Sequence, residues 1–273
     1  MRLPSFSQVN RISMKTLRER HLFRDSGRAL VVAMDHARSF DTVTSLKDSN
    51  KVITDVIEGG ADAILAPYGT ALHAVDVLGA AGLWLSIDST PQTVPTLVER
   101  AVRLGVDGIK AELYPWCEEG DDHLGRYTGK ETVLNMVTLA AECQKWGLPL
   151  MAEVVPFGFP GADKRTPEIT AAACRVASET GATYVKSFYT GDKESFKVLV
   201  ENCTVPVLIL GGPKVDSDKE TLEIVRDAMD AGAIGITMGR NIWGHDNVTG
   251  ITAAMAAIIH DDASVASAAK LID

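Results

Sequence analysis

The residues able to do chemistry are few and regularly placed. Lys186 sits in an apolar run, "ATYVKSF" (182–188), where a lysine is almost never buried without a partner. Lys110 and Glu112 lie two apart in "GIKAEL" (108–113), so an extended chain puts them on one face. Glu153 lies in "LPLMAEVV" (148–155), and Asp35-His36 follows the run "ALVVAM" (29–34). Burial disfavours a lysine as the cation, and a second cation nearby, such as Lys110, disfavours it further. A neutral lysine attacks carbonyl carbons and forms Schiff bases. Asp35 and Glu153 are placed to balance charge and to move protons. Two further clusters suit an oxyanion: Gly211-Gly212 after "VPVLIL" (205–210), and Gly239-Arg240 at the end of "IGITMG" (234–239). Glycine lets backbone N–H groups approach an anion closely, and arginine clamps phosphate bidentately.

These residues need elements to hold them, and the chain supplies a repeating one. Eight short apolar runs recur: the six already quoted, with "ADAILA" (61–66) and "LWLSI" (83–87). Being apolar throughout, they read as strands of a parallel sheet buried on both faces. Five are introduced by glycine-containing helix stops, "EGGADA", "AAGLW", "RLGVDG", "WGLP" and "AGAIG". Helical spacing fills the intervals, as at Leu222, Ile224, Val225, Ala228 and Met229. Eight such units match a single-domain (β/α)8 TIM barrel spanning 1–273, and a doubly wound open sheet is the runner-up. Residues 1–25 are expected to close the barrel bottom as an extra helix. The polar stretch "CEEGDDHLGRYTGKE" (117–131) reads as a lid or a solvated loop. In such a barrel the site lies at the C-terminal strand ends, and the loops after strands seven and eight bind phosphate.

Composition narrows the class of partner. A net charge of −9 argues against a nucleic-acid or anionic-membrane surface. There is no run of 18 apolar residues for a membrane span and no apolar leader at the N-terminus. Cys117, Cys143, Cys174 and Cys203 are widely spaced, without CxxC, and read as reduced packing thiols of a cytoplasmic protein. No HxH or HxxxH occurs among the six histidines, so no metal is expected and His36 reads as a supporting or packing group. No Walker A, nucleophile elbow or nicotinamide fingerprint appears, and no cofactor is expected.

The segments "YVKSFYTGD", "VPVLILGGPK" and "GAIGITMGRNIW", with "AMDH" at 33–36, closely resemble the archaeal-type class I fructose-bisphosphate aldolases. They also resemble that group's relatives, a thiolase of phosphorylated quorum-signal breakdown and the amino-dideoxy-heptulosonate synthases. The resemblance implies a Schiff base on Lys186, and phosphate binding by Gly211, Gly212, Gly239 and Arg240. It departs in strand five, where that subgroup has a proton-donating Tyr before a Pro and "AEVVPFG" has Val155. There the chain is similar to a second branch, the tagatose-bisphosphate and sulfofructose-phosphate class I aldolases. That branch has a strand-four Lys, as in "IKAELY", and a catalytic strand-five Glu, as at Glu153.

Together these readings predict a class I aldolase cleaving a phosphorylated ketose to dihydroxyacetone phosphate, or a similar ketone, and an aldehyde. Lys186 is the nucleophile and Glu153 the proton shuttle. Lys110 binds substrate hydroxyls, and Asp35 orients the carbonyl side. The alternatives are a thiolase- or transaldolase-like transfer on the same lysine, and a phosphate-binding sensor or isomerase without lyase chemistry. Barrels of this kind commonly assemble, so a homo-oligomer is expected.

Overall fold

The computed structural model describes residues 16–36, 43–118, 127–212 and 217–272. Its strands are β1 (Ala29–Ala33), β2 (Ala63–Pro67), β3 (Gly82–Ser86), β4 (Gly108–Leu113), β5 (Leu150–Val154), β6 (Tyr184–Ser187), β7 (Val207–Leu210) and β8 (Gly235–Met238). All pair in parallel and close in chain order, β8 returning to β1. The helices are α1 (Glu19–Leu22), α2 (Ser49–Glu58), α3 (Tyr68–His73), α4 (Val94–Leu104), α5 (Gly129–Trp146) and α6 (Pro167–Glu179). The rest are α7 (Lys193–Asn202), α8 (Asp218–Asp230), α9 (Arg240–Trp243), α10 (Val248–Asp261) and α11 (Val265–Ala268). The expected (β/α)8 TIM barrel is the fold.

Strand alternation sorts side chains into two cores. Outward residues such as Leu30, Ile64, Leu85, Ile109, Val185 and Ile236 pack with the helices in the larger apolar cluster. Inward residues Val31, Leu65, Trp84, Met151, Tyr184 and Leu208 fill the lower barrel. Gly108 makes room for Trp84: a Cβ there would lie 2.5 Å from the indole. The inward positions one and two steps further along are polar: Ser86, Lys110, Glu112, Glu153 and Lys186. One chain period therefore gives an apolar floor and a charged ceiling.

Helix starts follow the sequence. Asp48, Thr166, Asp192, Ser217 and Asn247 cap α2, α6, α7, α8 and α10 through their side chains. Thr128 and Glu131 form a full capping box on α5. Gly105 and Gly147 end α4 and α5 with left-handed backbone, at φ 84° and 64°. The glycine of "AAGLW" is different. Gly82 opens β3 and ends no helix, because the chain of 16–25 passes directly beneath it; a Cβ would meet the His21 carbonyl oxygen at 2.3 Å.

That segment is the described part of the expected N-terminal closure; residues 1–15 lie outside the described residues. Its helix is a single turn, α1. Leu22 is buried in the barrel floor, Phe23 stacks on Tyr184 at 4.8 Å, and the Tyr184 hydroxyl donates to Glu19. Most of the 117–131 loop, residues 119–126, also falls outside the described residues.

Gly235 carries the tightest packing constraint. Its φ is +148°, and a Cβ would lie 1.9 Å from the Ala29 carbonyl oxygen at the β1–β8 closure. Gly235→Ala is expected to destabilise the fold by about 3 kcal/mol or more. Gly79→Ala, at φ +58° with nothing within 4 Å, should cost only about 1 kcal/mol. Chemical denaturation of the two variants checks the contrast.

Candidate active site

Register puts the charged side chains at one level. Glu112 pairs with Glu153, and Glu153 with Lys186, as direct neighbours across β4, β5 and β6. Lys110 pairs with Met151, one inward layer lower. Its long stem carries Nζ up to the carboxylates. Lys110 is fully buried and contacts three of them: Asp35 Oδ2 at 3.1 Å, Glu112 Oε1 at 3.2 Å, and Glu153 Oε2. Lys186 Nζ lies 2.8 Å from Glu153 Oε1. Glu153 therefore gives one oxygen to each lysine. The Ser86 hydroxyl donates to Asp35 Oδ2 at 2.6 Å, and the Tyr114 hydroxyl donates to Glu112 Oε2.

The electrostatics follow from this arrangement. Burial pushes the Glu153 carboxyl up, but Lys110 and Lys186 outweigh it and hold the group below the ordinary carboxylate value. Glu153 is thus an anion at neutral pH. Asp35, Glu112 and Glu153 have oxygens within 4.8 Å of one another, a spacing that suits a cation. The ammonium of Lys110 reaches all three, so the chain brings a cation of its own to that point.

The second cluster stands after β7 and β8. Arg240 donates to the Gly212 carbonyl at 2.6 Å, and the Asn241 amide donates to the Gly211 carbonyl at 2.9 Å. Gly212 has left-handed backbone at φ +60° and open space beside it. Gly239 has a packing reason as well: a Cβ would meet the Ala33 carbonyl oxygen at 2.5 Å and both His36 and Trp243 at 2.9 Å. His36 stands edge-on to Trp243 at 5.4 Å. Burial holds the imidazole below its ordinary value against the pull of Asp35, and Lys186 and Arg240 act with burial. That field ties His36 to both clusters. Ile242 and Trp243 are buried in the core, so they form no free apolar face.

Sequence reasoning brought together Asp35, Lys110, Glu153 and Lys186. It missed Ser86, Tyr114 and Asn241, which bear ordinary hydroxyls and an amide and reveal themselves only by contact. It also missed Arg165, whose guanidinium donates to the carbonyls of Pro156, Gly158 and Phe159 and lies over Phe188 at 4.7 Å. Val155 packs against Tyr114 and Cys117 in a small apolar cluster. All four cysteines are buried and unbridged, with burial pushing the Cys143 thiol up to about 12, as packing groups require. A hollow of about 1090 Å³ between Thr44, Asp55, His73 and His245 is lined by neither Lys110 nor Lys186.

The profile of the DeoC/LacD family aldolases matches residues 29–245. The chain belongs to the DeoC/LacD aldolase family. It is similar to the 2-amino-3,7-dideoxy-D-threo-hept-6-ulosonate synthase of Halobacterium salinarum, 34% identical over 91% of this chain and 92% of that protein. A Streptomyces griseus 2-amino-4,5-dihydroxy-6-oxo-7-(phosphonooxy)heptanoate synthase is 24% identical over 87% of this chain and 86% of its own length. A crystal structure of an archaeal fructose 1,6-bisphosphate aldolase superposes with TM-score 0.76 at 25% identity, covering 89% of this chain and 98% of that one. Another archaeal aldolase structure, with its catalytic Lys bound to the carbinolamine intermediate, gives TM-score 0.74 at 26% identity over the same shares. The family makes the chain an aldolase and sets aside a sensor without lyase chemistry. Among the described residues no helix is long and apolar enough to cross a membrane.

Removing the buried cation should unbalance this aldolase. In Lys110→Met, three carboxylates face one another, and the variant should lose about 3–5 kcal/mol at neutral pH. In the wild type the depressed Glu153 group contributes stability above the ordinary carboxylate range, lost as pH falls through its folded value. Without Lys110, burial, Asp35 and Glu112 act to raise Glu153, so the sign reverses. The variant should gain thermal stability between about pH 8 and about pH 5, while the wild type should not. Melting temperatures across that range check it.

Proposed function

We propose that this aldolase works by a Schiff base on Lys186 and acts on a phosphorylated ketose. The observation carrying the proposal is the division of Glu153 between Lys186 and Lys110. Lys186 hands a proton to Glu153 and becomes the neutral nucleophile. Its Nζ attacks the ketone carbon, and proton transfer from nitrogen to oxygen gives a carbinolamine. Protonated Glu153 then returns its proton to the hydroxyl, water leaves, and the iminium forms. Glu153, again an anion, takes the proton of the hydroxyl at the carbon being cleaved. The C–C bond electrons flow into the iminium as an enamine, and the aldehyde departs. Protonation of the enamine carbon by Glu153 and hydrolysis of the iminium release dihydroxyacetone phosphate, or a similar phosphorylated ketone, and restore Lys186.

Lys110 keeps its ammonium beside Glu153 and binds substrate hydroxyls, and Asp35, held by Ser86, fixes Lys110 from the other side. Gly211, Gly212, Gly239 and Arg240 receive the phosphate, with Arg240 held in place at the Gly212 carbonyl. Val155 provides no proton, which leaves that work to Glu153. A second reading has one observation in its favour, the Halobacterium salinarum relative named as a heptulosonate synthase. There the enamine on the same lysine passes to a different acceptor, in a transaldolase-like transfer. Product analysis with dihydroxyacetone phosphate alone and with added acceptors separates the two.

Borohydride with dihydroxyacetone phosphate should leave a reduced adduct on the wild type, read by intact mass. Glu153→Gln should lower kcat by roughly 10²–10⁴-fold. A wild type without an adduct would overturn the lysine mechanism.

A further inference from the structure

Arg165 has no part in the chemistry described so far, yet it joins the two strands that carry it. Its Nε donates to the Pro156 carbonyl at 3.2 Å, and its Nη2 to the carbonyls of Gly158 and Phe159 at 2.5 and 3.2 Å. All three belong to the loop that leaves β5, the strand of Glu153. The guanidinium lies 4.7 Å from the ring centre of Phe188, two residues beyond Lys186 at the end of β6. Nη1 makes no hydrogen bond among the described residues. The side chain is half-buried, and burial holds the guanidinium below its ordinary value with no carboxylate among the described residues in opposition. Arg240 has the same character: it is held at a loop carbonyl, and burial lowers it unopposed. A cation withdrawn from water without a counter-ion gains from an incoming anion, and the planar fork of arginine suits carboxylate and phosphate.

The order of the strands gives the substrate a direction. Under the proposed function the ketone-end phosphate stands by β7 and β8, and the ketone carbon at Lys186 on β6. The hydroxyl at the cleaved bond meets Glu153 on β5, directly beside Lys186 in the register. The aldehyde half therefore runs on past Glu153, toward the loop that leaves β5. Val155 and Phe188 follow Glu153 and Lys186 by two residues and share one apolar cluster with Tyr114 and Phe159. Two residues of extended chain rise about 6.6 Å, a span that a short carbon chain covers. Beyond that apolar wall, over Phe188, stands Arg165.

We infer that Arg165 binds an anionic group at the far end of the aldehyde half, offering Nη1 to it. The mouth then has two anion positions, Arg240 for the ketone end and Arg165 for the aldehyde end. The ligand class is an aldehyde that ends in a phosphate or a carboxylate. This rests on the Schiff base at Lys186 under the proposed function.

The test runs the reaction in the condensation direction, with dihydroxyacetone phosphate and two matched pairs of aldehydes. Glyceraldehyde 3-phosphate against glyceraldehyde reads phosphate, and succinic semialdehyde against butanal reads carboxylate. The wild type should favour the anionic member of at least one pair by about tenfold or more in kcat/KM, and added salt should narrow the ratio. Arg165→Gln should lower kcat/KM for the anionic aldehyde far more than for its uncharged partner. Arg165→Lys keeps the charge without the fork and should retain part of the preference. An arginine that only braces the loop would lower both members of a pair alike in Arg165→Gln, and that result overturns the inference. So does a wild type without preference in either pair, whatever becomes of the variants. Borohydride trapping of the wild type with dihydroxyacetone phosphate alone separates the levels. An adduct without an anionic preference sinks only the role of Arg165, and no adduct sinks the lysine mechanism and this role with it.

Discussion

The structure turns on one carboxylate shared by two lysines. Two buried ammonium groups with no anion between them would be costly, and so would the three carboxylates without Lys110. Glu153 resolves both by giving an oxygen to each lysine. The same sharing makes the two lysines unequal. Among the described residues Lys110 contacts three carboxylates and Lys186 pairs with Glu153. The proposed division of labour, with Lys110 as structural cation and Lys186 as nucleophile, is built on these contacts.

Everything below that layer serves to hold it. Closure of the barrel depends on Gly235 against Ala29, and the floor on Trp84 over Gly108 and on Tyr184 under Phe23. Those large side chains fill the lower interior, so the next inward positions on β4, β5 and β6 reach the mouth. A lysine at the lower of these layers, Lys110, and one at the upper, Lys186, meet the same glutamate because the stem of Lys110 spans the difference.

Much of this was legible in the sequence, for physical reasons. Runs buried on both faces are apolar, so the eight strands stood out, and lysines and carboxylates stood out against them. Period two placed Lys110 with Glu112. The ends were less legible. The runs at 148, 182 and 205 overshoot strands beginning at Leu150, Tyr184 and Val207, because apolar turn residues look like strand. Gly82 resembled a helix stop, since the sequence does not show which chain crosses it. Ser86, Tyr114 and Asn241 carry groups found on any surface, and only packing makes them part of the site. The Glu153 bridge between Lys110 and Lys186 was likewise not legible, since no spacing in the sequence shows that one carboxylate reaches both.

The measurement closest to the central claim locates the covalent adduct. After borohydride reduction with dihydroxyacetone phosphate, fragmentation of the digested protein assigns the modified residue. The account predicts modification of Lys186, with Lys110 unmodified. An adduct on Lys110, or one divided between the two lysines, would contradict the unequal roles that the shared glutamate imposes.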